Sequence, residues 1–184
     1  MSEFGEDPIN EAIYSKRGIM GAIEALFGNG SVIPGVMMIM CGIDILSNVV
    51  REEEESKPKD FTEWVRRYLH IPGDDVLTPD DIWAARCALV HTYGLESRKV
   101  RSGDARRIIW LQNPLTAVGY APSVDAGSVR VDPFAFRDAF TRAVAEFLVA
   151  VSKDKGDNQL IEGRLKELTT YSRFIDERLR YRGE

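Results

Sequence analysis

The stretch from Val32 to Val50 is apolar on nearly every side of a helix, and a helix without a polar face has to be covered from several directions. Lipid or protein can supply that cover. Asp44 and Asn48 lie inside the stretch, and a carboxylate near the middle of a bilayer is costly. The expectation is a buried helix from about Pro34 to Glu54, touched by several neighbours or by a second subunit, and not a membrane span. With 184 residues, 44% of them hydrophobic and 29% charged, the chain is long enough for one core of its own. A single domain over 1–184 is expected.

Helical periodicity organises most of the remainder. A first helix is expected from Asp7, with Pro8 in its first turn, through Ile13, Met20, Ile23 and Phe27 to the stop at Gly28-Asn29-Gly30. The preceding 1–7 reads as a flexible, acidic N-terminus and not a signal peptide. A third helix is expected from Asp60, with Phe61, Trp64, Val65 and Tyr68 on one stripe. The fourth, from Thr78 to Gly94, is the best signalled, with Thr78 as cap, Pro79 first and Asp81 at the capping-box position. These four helices make a core over 8–94. Residues 95–132 read as a basic loop followed by β-rich Arg106–Leu111 and Ser128–Asp132, a small hairpin whose connection holds Pro114, Gly119, Pro122 and Gly127. Two C-terminal helices fill 133–184. The first buries Phe136, Phe140, Val144, Phe147 and Val151, and the second carries Ile161, Leu165, Leu168, Ile175 and Leu179. The fold class is mainly α: a helical bundle with a β-hairpin inserted between the fourth and fifth helices.

The fourth helix holds the residue types that suit phosphate chemistry. His91, one of two histidines, follows Arg86 by five positions. That spacing is about 140° around a helix, so the two fit a site shared by facing helices of a two-fold dimer better than a compact pair within one chain. RNA brings its own nucleophile, the 2′-hydroxyl. An imidazole can move the proton, and a guanidinium can grip the phosphoryl group through paired hydrogen bonds. No dense cluster of His, Asp, Glu or Cys suggests a metal, and no cofactor is expected.

Arg86-Cys87-Ala88-Leu89-Val90-His91 resembles the R-x-x-x-x-H signature of HEPN (higher eukaryote and prokaryote nucleotide-binding) domains, and extension to Tyr93 is similar to HEPN toxins paired with nucleotidyltransferase antitoxins. The phrase from Trp83 to Thr92 looks like HEPN members of bacterial defence systems. The resemblance implies a HEPN-like bundle and a metal-independent endoribonuclease, active as a homodimer, with Arg86 and His91 catalytic. It also implies two alternatives: a non-catalytic dimerisation, nucleotide- or RNA-binding module, or the toxin half of a toxin–antitoxin pair, with an antitoxin or defence-system partner.

Three residues stand in support. Asp44 either pairs with Arg86 and fixes its direction, or faces solvent at a gap in the packing. Tyr93 either positions phosphate, carries a nucleotidyl modification, or is a core tyrosine with its hydroxyl at the surface. Cys87 fills a position that is often asparagine in HEPN proteins. Cys41 and Cys87 both read as small buried hydrophobes. Arg98, Lys99, Arg101, Arg106 and Arg107 stand against Asp104 alone, which suits either a solvated loop or an RNA landing strip. The overall charge of -5 gives no general attraction to nucleic acid. His70 reads as a helix C-terminal cation. Among Trp64, Trp83 and Trp110, all candidates for the core, Trp110 is the best placed to stack on a base. A cytoplasmic location is expected.

Overall fold

The apolar helix expected at the centre is there. The computed structural model describes residues 13–16, 18–51, 53–73, 76–113, 115–120, 127–154, 161, 163–164 and 167. Among these, α1 spans Ile19–Gly28, α2 Val32–Val49, α3 Pro58–Tyr68, α4 Pro79–Thr92, α5 Arg98–Ser102 and α6 Pro133–Asp154; β1 is Arg107–Trp110, β2 Val118–Tyr120 and β3 Ser128–Val131. Helix α2 packs against α1, α3, α4 and α6. Its Val36, Ile39, Met40 and Ile43 are completely buried. Gly42 lets α6 approach: a β-carbon there would sit 2.7 Å from the Phe140 ring and 3.2 Å from Ile19. By length and mean hydropathy α2 also qualifies as a bilayer span, yet half of it is buried within the fold.

Aromatic rings fill the space between α3 and α6. Trp64 lies within 5.4–6.1 Å of the Tyr68, Phe140 and Phe147 rings, and Tyr68 meets Phe147 edge-on. All five residues expected on the buried face of α6 are buried, from Phe136 to Val151. Asp132 starts that helix by accepting from the Phe134 and Ala135 amides.

Several expectations need correction. The first helix is not continuous: a turn closed by Gly18 N–H to the Ser15 carbonyl separates Ile13–Tyr14 from α1. Helix α2 stops at Val49 rather than Glu54, because Arg51 folds back to donate to the Asn48, Glu53 and Glu54 carbonyls. Helix α3 begins at Pro58; Asp60 is its capping residue, accepting from the Lys57 amide at 2.7 Å. The basic loop contains α5.

The β insertion is a three-stranded sheet in the order β1-β3-β2, not a hairpin. Strands β1 and β3 run parallel, from Arg107 opposite Ser128 to Trp110 opposite Val131, and β2 runs antiparallel on the other side of β3. A parallel pair needs a long crossover, and the stretch that looked like a turn supplies one with a strand inside it. Gly119 belongs to that strand because it faces Arg130, whose guanidinium would lie 3.3 Å from any β-carbon.

The expected N-terminal segment 1–7 and the start of the first helix lie outside the described residues, as does most of the last helix. Of that helix, Ile161 is buried, and Arg164 donates to the Val49 and Glu53 carbonyls.

Candidate functional site

Helix α4 is placed from its N-terminal end. The Thr78 hydroxyl accepts from the Asp81 amide at 3.2 Å, and the Asp81 carboxylate accepts from the Thr78 amide at 2.9 Å, the reciprocal bonding of a capping box. Asp81 also takes the Arg106 amide at 2.7 Å and its guanidinium at 2.6 Å, which ties β1 to the helix. Burial works to raise this carboxyl, but the hydrogen bonds from Arg106 and Thr78 outweigh it and hold Asp81 below the usual carboxylate range.

Further along, three side chains meet. Arg86 Nε donates to Asp44 Oδ2 at 2.7 Å, its Nη2 forms an ion-pair contact with the same oxygen at 2.7 Å, and its Nη1 lies 3.1 Å from His91 Nε2. The long arginine side chain thus closes across the angular gap, and the dyad forms within one chain, where the spacing had favoured a site shared between two. Arginine only donates, so this geometry makes Nε2 an acceptor and puts the proton of a neutral imidazole on Nδ1. Asp44 pairs with Arg86 and also borders an open groove. The guanidinium also lies over the Trp83 ring, 5.2 Å from its centre.

The site is only partly shielded. The Arg86 and Asp44 side chains retain 19% and 29% of their exposure, and His91 is exposed. Burial lifts the Asp44 carboxyl above its ordinary range, and Arg86 brings it only part of the way back. For Arg86, burial disfavours the charged form, but the Asp44 hydrogen bonds and charge hold it above its usual value. The pair therefore keeps a firmly cationic guanidinium beside an under-supported carboxylate.

The cysteines are half-buried thiols and not core hydrophobes. Burial raises both; Asp44 pushes Cys41 further in that direction, while the Arg86 charge and a hydrogen bond to it draw Cys87 back. Tyr93 is no core tyrosine. It is 63% exposed, and with φ of 51° it takes the left-handed position that ends α4, a place where Gly94 was expected.

Three of the five basic residues are matched by acids from elsewhere in the chain. Lys99 pairs with Asp80, Arg106 with Asp81 and Arg107 with Glu96. Lys99 and Arg106 gather at the N-terminal end of α4, and Asp80 is about 16 Å of helix from His91. Arg98 and Arg101 remain exposed on α5. A count of neighbouring charges in sequence missed these pairings because Asp80 and Asp81 precede the loop by a helix.

Trp110 is not the stacking candidate. It packs on Phe136 at 5.1 Å with its Nε1 buried and unpartnered. Trp64 is core. Half-buried Trp83, beside Arg86, is the tryptophan that reaches the site. It lines a groove of about 420 Å³ with Asp44, Ile45, Asn48, Ser56, Lys57, Pro58, Phe61 and Arg86. His70 is exposed two residues beyond α3, beside a different groove lined by Arg66, Leu77 and Pro79. Among the described residues, no group of three or more His, Cys, Asp or Glu is placed to hold a metal. No protein-family model, curated protein or solved structure matches this chain.

Proposed function

We propose that this protein is a HEPN-like endoribonuclease that cleaves RNA by attack of the 2′-hydroxyl, without a metal ion, as a homodimer. The observation that carries the reading is the chain Asp44–Arg86–His91 at an open surface, with the imidazole nitrogen acting as acceptor. Asp44 positions the guanidinium by a hydrogen bond from Nε and an ion-pair contact with Nη2. A scissile phosphate takes Arg86 Nη1 from His91, which frees the Nε2 lone pair. The 2′-oxygen then attacks phosphorus as its proton passes to Nε2. The bond to the 5′-oxygen breaks, and that oxygen takes a proton from water or from the His91 imidazolium of the twin protomer. The products are a 2′,3′-cyclic phosphate and a 5′-hydroxyl end. Half-buried Met37, Met38, Cys41 and Ile45 border Asp44 on α2, an apolar rim suited to a second copy. Exposed Arg98 and Arg101 supply positive charge for the polyanion.

The test is cleavage of a defined RNA in the presence of a chelator. The parent cuts and leaves cyclic phosphate ends, and Arg86→Ala and His91→Ala each lose about 10²–10⁴-fold in rate. Equal cleavage by all three proteins, or none by the parent, overturns the reading.

A further inference from the structure

The groove beside Arg86 is not used by the cleavage step described above. Its lining combines apolar Ile45, Pro58, Phe61 and Trp83 with polar Asn48, Ser56 and Lys57. A concavity of about 420 Å³ with apolar walls and a few convergent polar groups suits a small planar ligand. Its position relative to the dyad is set by the guanidinium. His91 meets Nη1, whereas Asp44, which lines the groove, takes Nε and Nη2. The imidazole and the groove therefore lie at different edges of Arg86. In-line displacement at phosphorus puts the entering and leaving oxygens on opposite sides. With the entering 2′-oxygen at His91, the leaving nucleoside is directed to the groove.

Asn48 gives the groove a chemical preference. Its carbonyl oxygen is occupied by the Arg51 guanidinium, and no described residue accepts from its amide nitrogen. With the oxygen turned to Arg51, the amide nitrogen is the group Asn48 offers the groove as a donor. At the exocyclic 4 or 6 position, uracil O4 and guanine O6 accept from that donor, whereas adenine N6 and cytosine N4 present hydrogens to it.

Resting on the reading of the site as a ribonuclease centre, we propose that the groove between α2, α3 and α4 binds the base on the 3′ side of the scissile phosphate, with Asn48 as the residue that selects it. Trp83 and Phe61 supply the apolar surface, and Lys57 and Ser56 add polar lining.

The experiment uses DNA oligonucleotides with a single ribonucleotide, which restricts cleavage to one bond. Four substrates differ only in the deoxynucleotide 3′ of that bond: dA, dC, dG or dU. The parent is expected to show kcat/KM about tenfold higher for dG and dU than for dA, the scale of one hydrogen bond. Asn48→Asp keeps the acceptor for Arg51 and removes the donor, so it is expected to erase that preference. All four substrates carry the same phosphate charge, so the ratios cancel the general effect of the added carboxylate. Rates within threefold of one another for the parent, or an unchanged ranking in Asn48→Asp, overturn the proposal. If the parent cleaves nothing, the same comparison is made by binding of the all-deoxy oligonucleotides, followed by fluorescence anisotropy. A preference lost in Asn48→Asp then supports the base pocket while the cleavage reading falls. No preference, or no binding, overturns the pocket as well.

Discussion

The two ends of α4 are built from the same kinds of residue and behave differently. At the N-terminal end, Asp81 is 1% exposed and accepts from the Thr78 amide, the Arg106 amide and the Arg106 guanidinium. In the second half, among the described residues Asp44 has the Arg86 guanidinium alone as its hydrogen-bond donor, and the arginine reaches on to an exposed histidine. Both carboxylates suffer from burial. The first is compensated in full and falls below its ordinary range; the second is not and rises above it. An arginine–aspartate pair is thus not informative by itself. Saturated and closed, it holds the fold together; part-satisfied and open, it leaves a cation available to a ligand.

The largest effect expected from this contrast is a separation of stability from activity. Asp81→Ala removes the carboxylate half of the α4 capping box and leaves the Arg106 guanidinium without its carboxylate, which is expected to cost about 2–3 kcal/mol. A urea midpoint at neutral pH measures it, and RNA cleavage well below that midpoint should survive. The exposed His91 variant should show the reverse: cleavage lost and the urea midpoint nearly unchanged. An Asp81→Ala protein as stable as the parent would remove the distinction between the two ends.

A smaller effect is a difference in the sign of pH dependence. Asp81 has a lowered folded-state pKa, so its contribution to stability is present above the ordinary carboxylate range, about 3.9, and is lost as pH falls through the lower folded value. Asp44 has a raised one. Its folded state takes up the proton first, so its contribution is greatest below the ordinary range and is lost as pH rises through the raised value. Below the ordinary carboxylate range, the stability of Asp81→Asn relative to the parent should therefore fall as pH rises, and above that range the relative stability of Asp44→Asn should climb. Parallel slopes in the two denaturation series would show that both carboxylates sit in equivalent environments.

Much of this contrast was legible in the chain. Thr78, Pro79 and Asp81 announce a helix start through local bonding, and local bonding needs no knowledge of the rest of the fold. The central position of α2 follows from its lack of a polar face, and the buried face of α6 follows from its period. The sheet was misread because its parallel pairing depends on what the intervening residues do, and Gly119 signals a turn unless Arg130 is known to lie opposite it. The Arg86–His91 contact was underrated because backbone rotation fixes where a side chain starts, not how far an arginine reaches. The Asp44 alternative was settled only by packing, as α2 and α4 are far apart in sequence and adjacent in the bundle. The fate of the basic segment was hidden for the same reason: its acidic partners come from the preceding helix and its flank.

The smallest expected effect concerns the residue that ends α4. Tyr93 holds φ at 51° and ψ at 33°, with its N–H bonded to the Leu89 carbonyl, and the Gly94 N–H reaches the Ala88 carbonyl at 3.3 Å. A side chain in that conformation costs about 1 kcal/mol or more, and glycine adopts it without strain. Tyr93 is exposed, so it gains little from burial in exchange. A strained residue that gains little from packing, two positions from an exposed imidazole, fits a segment held for its surface chemistry rather than for stability. Tyr93→Gly is accordingly expected to stabilise the protein by about 1 kcal/mol, read as a rise in thermal midpoint, and to slow cleavage if the phenol contacts RNA. A loss of stability would mean instead that the ring packs against the fold strongly enough to outweigh the strain, and Tyr93 would then belong with Asp81 on the structural side of the helix.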